Sequence, residues 1–380
     1  MIITVTPNPA LDLTWHVASL AVGSTHRADA GIARAGGKGL NVARVAHAQG
    51  AAVVAVTTCG GATGEEFAAE LEASGVPHVL VPVTASTRRS IALVDESLGD
   101  TTVVNEYGIA PTDAEWAALM DAVAAALAGA SRKKPHSVWE TTSAQVSHAE
   151  SGFSTGERGA GADGADVLVI SGSFPPGTPD HLLPALIRLG REAGAVVIVD
   201  TSGPSLLVAA DAGASVLKPN EHELREATGL EDPIDGAREL LRRGAQLVLL
   251  SLGAEGMLAV SAGSGRRHSI LHARLDAPLA GNPTGAGDAG VAACAVLMDA
   301  GIRDPEQILR RATAWSAAAV LMPLAGDIHA SWPDLEHALT VATPSAETSV
   351  PARDLTSDVQ SHAASEVSRE EPPTQPKESR

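Results

Sequence analysis

Short apolar runs alternate along the chain with longer segments whose apolar positions recur at helical spacing. Ile2–Val5, Val53–Thr57, Val79–Val83, Val167–Ser171, Val196–Asp200, Val216–Lys218 and Leu247–Ser251 read as strands. They lack the strict alternation of a half-exposed strand, so they belong in a parallel sheet covered on both faces. Leu40–Gln49, Glu65–Ser74 and Pro179–Gly190 read as helices. Thr112 and Glu115 form a capping box for another helix, ending at Gly129. Pro233 opens a further one, Pro305 opens a long one to Met322, and Ser331 caps a last one to about Val341. Leu13–Val17, Ile91–Val94 and Thr101–Asn105 add short strands, the last two joined by a Gly99-Asp100 turn. Gly31–Gly39 and Gly60–Gly64 read as glycine-rich loops. Strands interleaved with helices predict an α/β fold, an open, mostly parallel sheet with helices on both faces.

Two segments break this rhythm. Residues 131–166 carry Ser/Thr clusters and a Gly/Ala-rich run, and are expected to be a mobile surface insertion. Residues 343–380 are rich in Pro, Ser and charge, the composition of a disordered tail. One domain over residues 1–342 is therefore expected.

Composition narrows the function. Aromatic residues are only 2% and the formal net charge is −18, which excludes stacking platforms and basic faces for nucleic acid. Cys59 and Cys294 fall in separate apolar stretches and read as buried thiols; the His residues show no metal-ligand spacing with them. Met1–Val5 is a first strand and not a signal peptide, and no apolar run approaches the ~20 residues that span a bilayer. A cytoplasmic protein without a membrane partner is expected.

The chemistry centres on Gly281-Asn282-Pro283-Thr284-Gly285-Ala286-Gly287-Asp288, which opens into an apolar run from Ala289. A glycine-rich turn at a helix start leaves backbone N–H groups unpaired, and the helix dipole favours negative charge there. Asp288 conflicts with such an anion site unless it takes a proton from a hydroxyl while the amides stabilise a phosphoryl group in flight. The sequence therefore points to a phosphotransferase. Gly285–Gly290 also matches G-x-G-x-x-G, but no strand precedes it and it lies far from the first βαβ unit. Lys38 follows two glycines, yet the P-loop pattern fails at Ile32 and Gly39.

Four segments occur in series: Thr6-Pro7-Asn8-Pro9-Ala10-Leu11-Asp12, Gly36-Gly37-Lys38-Gly39-Leu40-Asn41, Lys218-Pro219-Asn220-Glu221-His222-Glu223 and Thr284-Gly285-Ala286-Gly287-Asp288. Together they resemble the ribokinase-like (PfkB) carbohydrate kinases, nearest to the branch of 1-phosphofructokinases and tagatose-6-phosphate kinases. The resemblance spans residues 1–341 apart from the 131–166 insertion.

That resemblance implies a ribokinase-like domain with a small β-lid from residues 12–25 and 87–108, and a homodimer formed through the lids. It implies Asp288 as catalytic base, Gly285, Ala286 and Gly287 as anion hole, and Lys38 as a charge neutraliser. Asp12, Gly36, Gly37 and Asn41 match sugar contacts, Arg88 matches the arginine that grips the sugar's phosphate, and Ser171 belongs to a further contact loop. Lys218, Asn220, Glu223, Ser251, Gly253 and Gly256 match the ATP site, with Asn220 and Glu223 holding Mg²⁺ through water. Two departures stand out: Ala289 replaces a common Ser, and Tyr107 stands where the fructose-phosphate branch often has Pro. The expected reaction is ATP-dependent phosphorylation of fructose 1-phosphate. Fructose 6-phosphate or tagatose 6-phosphate as acceptor is the alternative, and a silent sugar-phosphate sensor is the non-enzymatic one.

Overall fold

In chain order, the computed structural model describes residues 1–132, 166–262 and 268–344. The 131–166 insertion therefore lies outside the described residues, except for the helix end at its start and Asp166, and so does the tail beyond 344.

The N-terminal half contains β1 (Ile2–Thr6), β2 (Ala10–Val17), β3 (Ile32–Gly36), α1 (Lys38–Ala48), β4 (Val53–Cys59), α2 (Gly61–Ala73), β5 (His78–Pro82), β6 (Arg88–Asp95), β7 (Asp100–Asn105) and α3 (Asp113–Arg132). After the insertion come β8 (Val167–Ser171), α4 (Leu182–Glu192), β9 (Val196–Asp200), α5 (Pro204–Asp211), β10 (Val216–Leu217), α6 (Glu221–Thr228), α7 (Pro233–Arg243) and β11 (Leu247–Ser251). The chain finishes with β12 (Met257–Ala262), β13 (His268–Arg274), α8 (Ala286–Asp299), α9 (Pro305–Val320), α10 (Trp332–Ala338) and β14 (Thr340–Ala342).

Ten strands form the main sheet, in the order β14-β13-β12-β11-β10-β9-β8-β1-β4-β5. Neighbours from β11 through β5 are parallel. At the centre, β1 and β8 are apolar and buried from end to end because helices cover both faces, whereas the edge strand β5 is mostly half-buried or exposed. The three last-added strands are antiparallel, so the sheet is mixed and mostly parallel, as expected. The final helix stops at Ala338 because Leu339 turns to extended backbone and β14 pairs with β13. Ser331 makes no capping bond there. The helix expected from Pro179 begins at Leu182.

A second sheet has the order β3-β2-β6-β7. β2, β6 and β7 overlap the expected 12–25 and 87–108 segments, with residues 18–25 outside any strand, and β3 joins them from a stretch read as loop. Ile32–Gly36 becomes a strand by pairing antiparallel with Ala10–Thr14, which outweighs its weak Gly/Ala composition. Likewise α2 begins at Gly61, inside the expected 60–64 loop.

α8 packs against α1 and α9. Ala289, Val291, Ala292, Ala293, Cys294 and Ala295 on it are fully buried, which explains why the helix is apolar all round. At Gly290 an added Cβ would stand 2.7 Å from the Ser316 hydroxyl on α9, so the two helices meet closely. Among the described residues no helix is long and apolar enough to cross a membrane.

Candidate active site

Parallel strands set their carboxyl ends along one edge, and several deliver the candidate side chains there. β8 ends at Ser171, β9 ends at Asp200, and β10 runs into Lys218. A bridge between Asn220 and Ser251 sets the loop after β10 beside the end of β11. The N-terminal turns of α1 and α8 meet this edge, carrying Lys38 and Asp288.

Gly285 precedes α8 with φ of 84°, a left-handed conformation that side chains disfavour. A Cβ there would also come within 2.9 Å of Ala325 Cα. The Ala286 N–H is donated to Pro283 O at 3.1 Å. Among the described residues, the N–H groups of Gly285, Gly287 and Asp288 have no acceptor. Of the three amides expected to form an anion hole, that of Ala286 closes the turn, while those of Gly285 and Gly287 stay unpaired beside that of Asp288 among the described residues.

Asp288 is 5% exposed, and its Oδ2 accepts from Asn41 Nδ2 at 2.8 Å. Burial pushes its carboxyl up to about 7, with the Asp200 charge adding to the rise. Lys38, the Asn41 bond and Lys218 act in the opposite sense. The Lys38 ammonium lies 3.4 Å from Asp200 and 3.8 Å from Glu223. Asp200 raises its proton affinity most, burial opposes, and Asp288 and Glu223 add to the rise. Lys218 is buried, 4.0 Å from Asp200 Oδ1, and donates to Ser251 Oγ at 3.5 Å. Gly287 lies against it: a Cβ there would be 3.1 Å from Lys218 Nζ.

Asp200 joins these groups, although the sequence presents it only as the last residue of an apolar strand. It is buried, and burial disfavours its charge, but Lys38, Lys218 and the Ser171 hydroxyl outweigh this and hold it ionised below the usual range. Ser171 Oγ donates to Asp200 at 3.0 Å and the residue is fully buried. The Ser171 hydroxyl is therefore turned inward onto Asp200. The exposed hydroxyl of the same loop is that of Ser173, which accepts from Asn8 Nδ2 at 3.4 Å.

On the second sheet, burial raises the Asp12 carboxyl to about 6 against the pull of Arg88, Arg34 and Arg44 and a bond from Ser90. Gly36 makes room for it, since a Cβ would fall 1.8 Å from Asp12 Oδ2. Gly37 precedes Lys38 as the cap of α1, and its carbonyl accepts the Asn41 N–H. Arg88 donates three bonds, two to Asn8 O at 3.3 Å and one to Glu106 O at 3.0 Å. A guanidinium has five N–H donors, so about two remain for a ligand. The Tyr107 ring, beside this loop, is exposed.

A cavity of about 370 Å³ opens beside the turn Gly253–Glu255. Its walls are apolar at Met257, Leu275, Leu279 and Val320, and it reaches Ser251 and Gly287. Ser251, Gly253 and Gly256 all line it, which suits a flat base with phosphates directed at the start of α8.

Asn220 and Glu223 cap α6 reciprocally: Asn220 Oδ1 accepts from Glu223 N at 2.8 Å, and Glu223 Oε2 accepts from Asn220 N at 3.0 Å. Among the described residues no group of three or more His, Cys, Asp and Glu is set to hold a metal. Glu223 keeps Oε1 outside the cap, so the pair fits a hydrated Mg²⁺ held through water and not a dehydrated ion.

The sequence pattern of "pfkB family carbohydrate kinase" matches residues 8–152 and 160–330. The chain is 34% identical over 324 residues to a "1-phosphofructokinase" of Xanthomonas campestris, covering 83% of this chain and 89% of that one. It is 31% identical to an "ATP-dependent 6-phosphofructokinase isozyme 2" of Mycobacterium tuberculosis, covering 85% and 84%. Among solved structures, phosphofructokinase-2 from Escherichia coli in complex with potassium superposes with a TM-score of 0.72 at 25% identity, covering 89% of this chain and 97% of that one.

Proposed function

The chain belongs to the pfkB family of carbohydrate kinases and is a sugar-phosphate kinase, and from that premise we propose that it phosphorylates fructose 1-phosphate to fructose 1,6-bisphosphate with ATP. The observation that carries this reading is Asp288: buried, held by Asn41, poised near neutral pH, and beside three unpaired amides.

In this reading the base of ATP occupies the 370 Å³ cavity, and its phosphates extend past Ser251 and Lys218 to the start of α8. The acceptor is held by Asp12, Gly36, Gly37 and Asn41, with its own phosphate at the two free donors of Arg88 and at Ser173. Asp288 takes the proton of the free primary hydroxyl. Its oxygen bonds to the γ-phosphorus as the bond from that phosphorus to the β-bridging oxygen breaks, and ADP leaves. The free amides and the Lys38 ammonium stabilise the charge on the transferred group. Asp200 acts behind them: it orients both lysines, and its charge makes Asp288 a stronger base. Asn220 and Glu223 would hold Mg²⁺ through water, and that ion, when bound, neutralises phosphate oxygens.

Measured ADP release over fructose 1-phosphate, fructose 6-phosphate, tagatose 6-phosphate and fructose tests the assignment. Fructose 1-phosphate should give the highest kcat/KM; preference for a 6-phosphate would move the assignment to the second reading, which the isozyme 2 relative favours. Arg88→Ala should raise KM for phosphorylated sugars about 10-fold or more, as loss of a charged hydrogen bond does. An equal effect on free fructose would remove Arg88 as the phosphate grip.

The second sheet serves as a lid in this proposal and pairs with a second copy. Ile32, Val103, Val104 and Tyr107 expose apolar surface on or next to it. Light scattering should give twice the chain mass, and Val104→Asp should give a monomer; a parent monomer would contradict the pairing.

A further inference from the structure

We propose that Arg34, held in place by Asp327, is a further specificity-determining residue that reads the hydroxyl groups of the acceptor sugar. The inference rests on the kinase reading above and extends it to residues that reading does not use.

Strand register puts three side chains on one face of the second sheet. Asp12 on β2 is directly opposite Arg34 on β3 and directly opposite Ser90 on β6. All three line a cavity of about 100 Å³ whose far wall is Asn282, Thr284 and Ala325. Those residues flank Gly285, so the cavity lies between the lid sheet and the start of α8.

The chemistry of this wall selects what it can hold. A phosphate would meet the Asp12 carboxylate, and like charges at close range repel. A polyol fits better, because a carboxylate beside a guanidinium presents acceptors and donors side by side, as hydroxyl groups require. The phosphate then belongs at Arg88 and Ser173, and the hydroxyls at Asp12 and Arg34.

Arg34 is not free to wander. Nη1 and Nη2 both donate to Asp327 Oδ2 at 3.1 Å, which leaves about three of its five donors for a ligand. A long arginine loses rotamer freedom on binding, and a partner that fixes it beforehand reduces that cost. Asp327 is itself well anchored. Its neighbour Gly326 packs so closely on Asn41 that a Cβ would stand 3.2 Å from Asn41 Oδ1. Asn41 in turn holds Asp288. Asp327 is thus a positioning residue, acting on the sugar only through Arg34.

Steady-state kinetics of the full chain decide the matter, with KM measured separately for sugar phosphate and ATP in Arg34→Gln, Arg34→Lys, Asp327→Asn and Arg34→Gln/Asp327→Asn. Arg34→Gln should raise the sugar-phosphate KM about 10-fold or more, with kcat and the ATP KM within about twofold. Arg34→Lys, which keeps the charge without the fork, should fall between parent and Arg34→Gln. Asp327→Asn should raise the sugar KM by a smaller factor, and the double variant should be no worse than Arg34→Gln alone. An unchanged sugar KM, a joint loss of kcat and ATP affinity, or multiplicative effects in the double variant would overturn the proposal. If the parent prefers a different hexose phosphate, the substrate assignment fails while the same comparison on that acceptor still judges Arg34. A parent that accepts no sugar phosphate overturns both.

Discussion

Asp288→Asn lowers kcat by about 10²–10⁴-fold, the usual contribution of a positioned general base, and leaves sugar-phosphate affinity within about twofold. Asparagine keeps the size of the side chain and its place beside Asn41, so binding geometry survives. It cannot take a proton. The variant also separates two uses of the α8 turn, because the free amides of Gly285 and Gly287 remain. Residual turnover then measures the anion hole and substrate alignment alone. Turnover equal to the parent would remove Asp288 from the chemistry, and a matching loss of sugar affinity would mark a binding role instead.

The second large effect is at Lys38. Lys38→Met removes the ammonium that stabilises the transferred group, at a cost of about 10²-fold or more in kcat, and it also changes the pH profile. Asp288 must be ionised to act as base, and its carboxyl stands at about 7, so activity should rise as pH rises through neutrality. Lys38 lowers that value, because a nearby cation favours the carboxylate. Its loss moves the acidic limb to higher pH. Asp200→Asn should shift the limb the other way, since Asp200 raises the Asp288 value through like-charge repulsion. Profiles of kcat in the two variants should therefore move apart. A limb that stays in place in both would mean that another group sets it.

Much of this was visible in the chain. β8, β9 and β11 occupy the expected residues because buried parallel strands are uninterrupted apolar runs. The α8 turn was legible because glycine spacing before an apolar helix has few other uses. Lost from view were features that depend on distant partners. β3 is a strand only because β2 lies beside it. Asp200 reads as a strand end until Lys38 and Lys218 converge on it. Arg34 and Asp327 lie 293 positions apart, and no local pattern joins them. Ser171 and Ser173 share one short loop, and only the fold turns the first inward to Asp200 and the second outward.

Arg44 shows the same limit within the core. Its guanidinium bonds the Ala35 carbonyl and the Glu70 carboxylate, and Glu70 also accepts the Ala35 N–H. Both backbone groups of one β3 residue are thereby pinned from α1 and α2. In sequence Arg44 is only a charged residue within an apolar helix, and its partner lies 26 positions away.

The most direct measurement is a crystal structure of the protein with fructose 1-phosphate and a non-transferable ATP analogue. The account predicts an Asp288 carboxylate oxygen within about 2.6–3.2 Å of the acceptor's free primary hydroxyl, with the γ-phosphate facing the amides of Gly285, Gly287 and Asp288. A hydroxyl bound away from Asp288, with the carboxylate turned from the γ-phosphate, would contradict it.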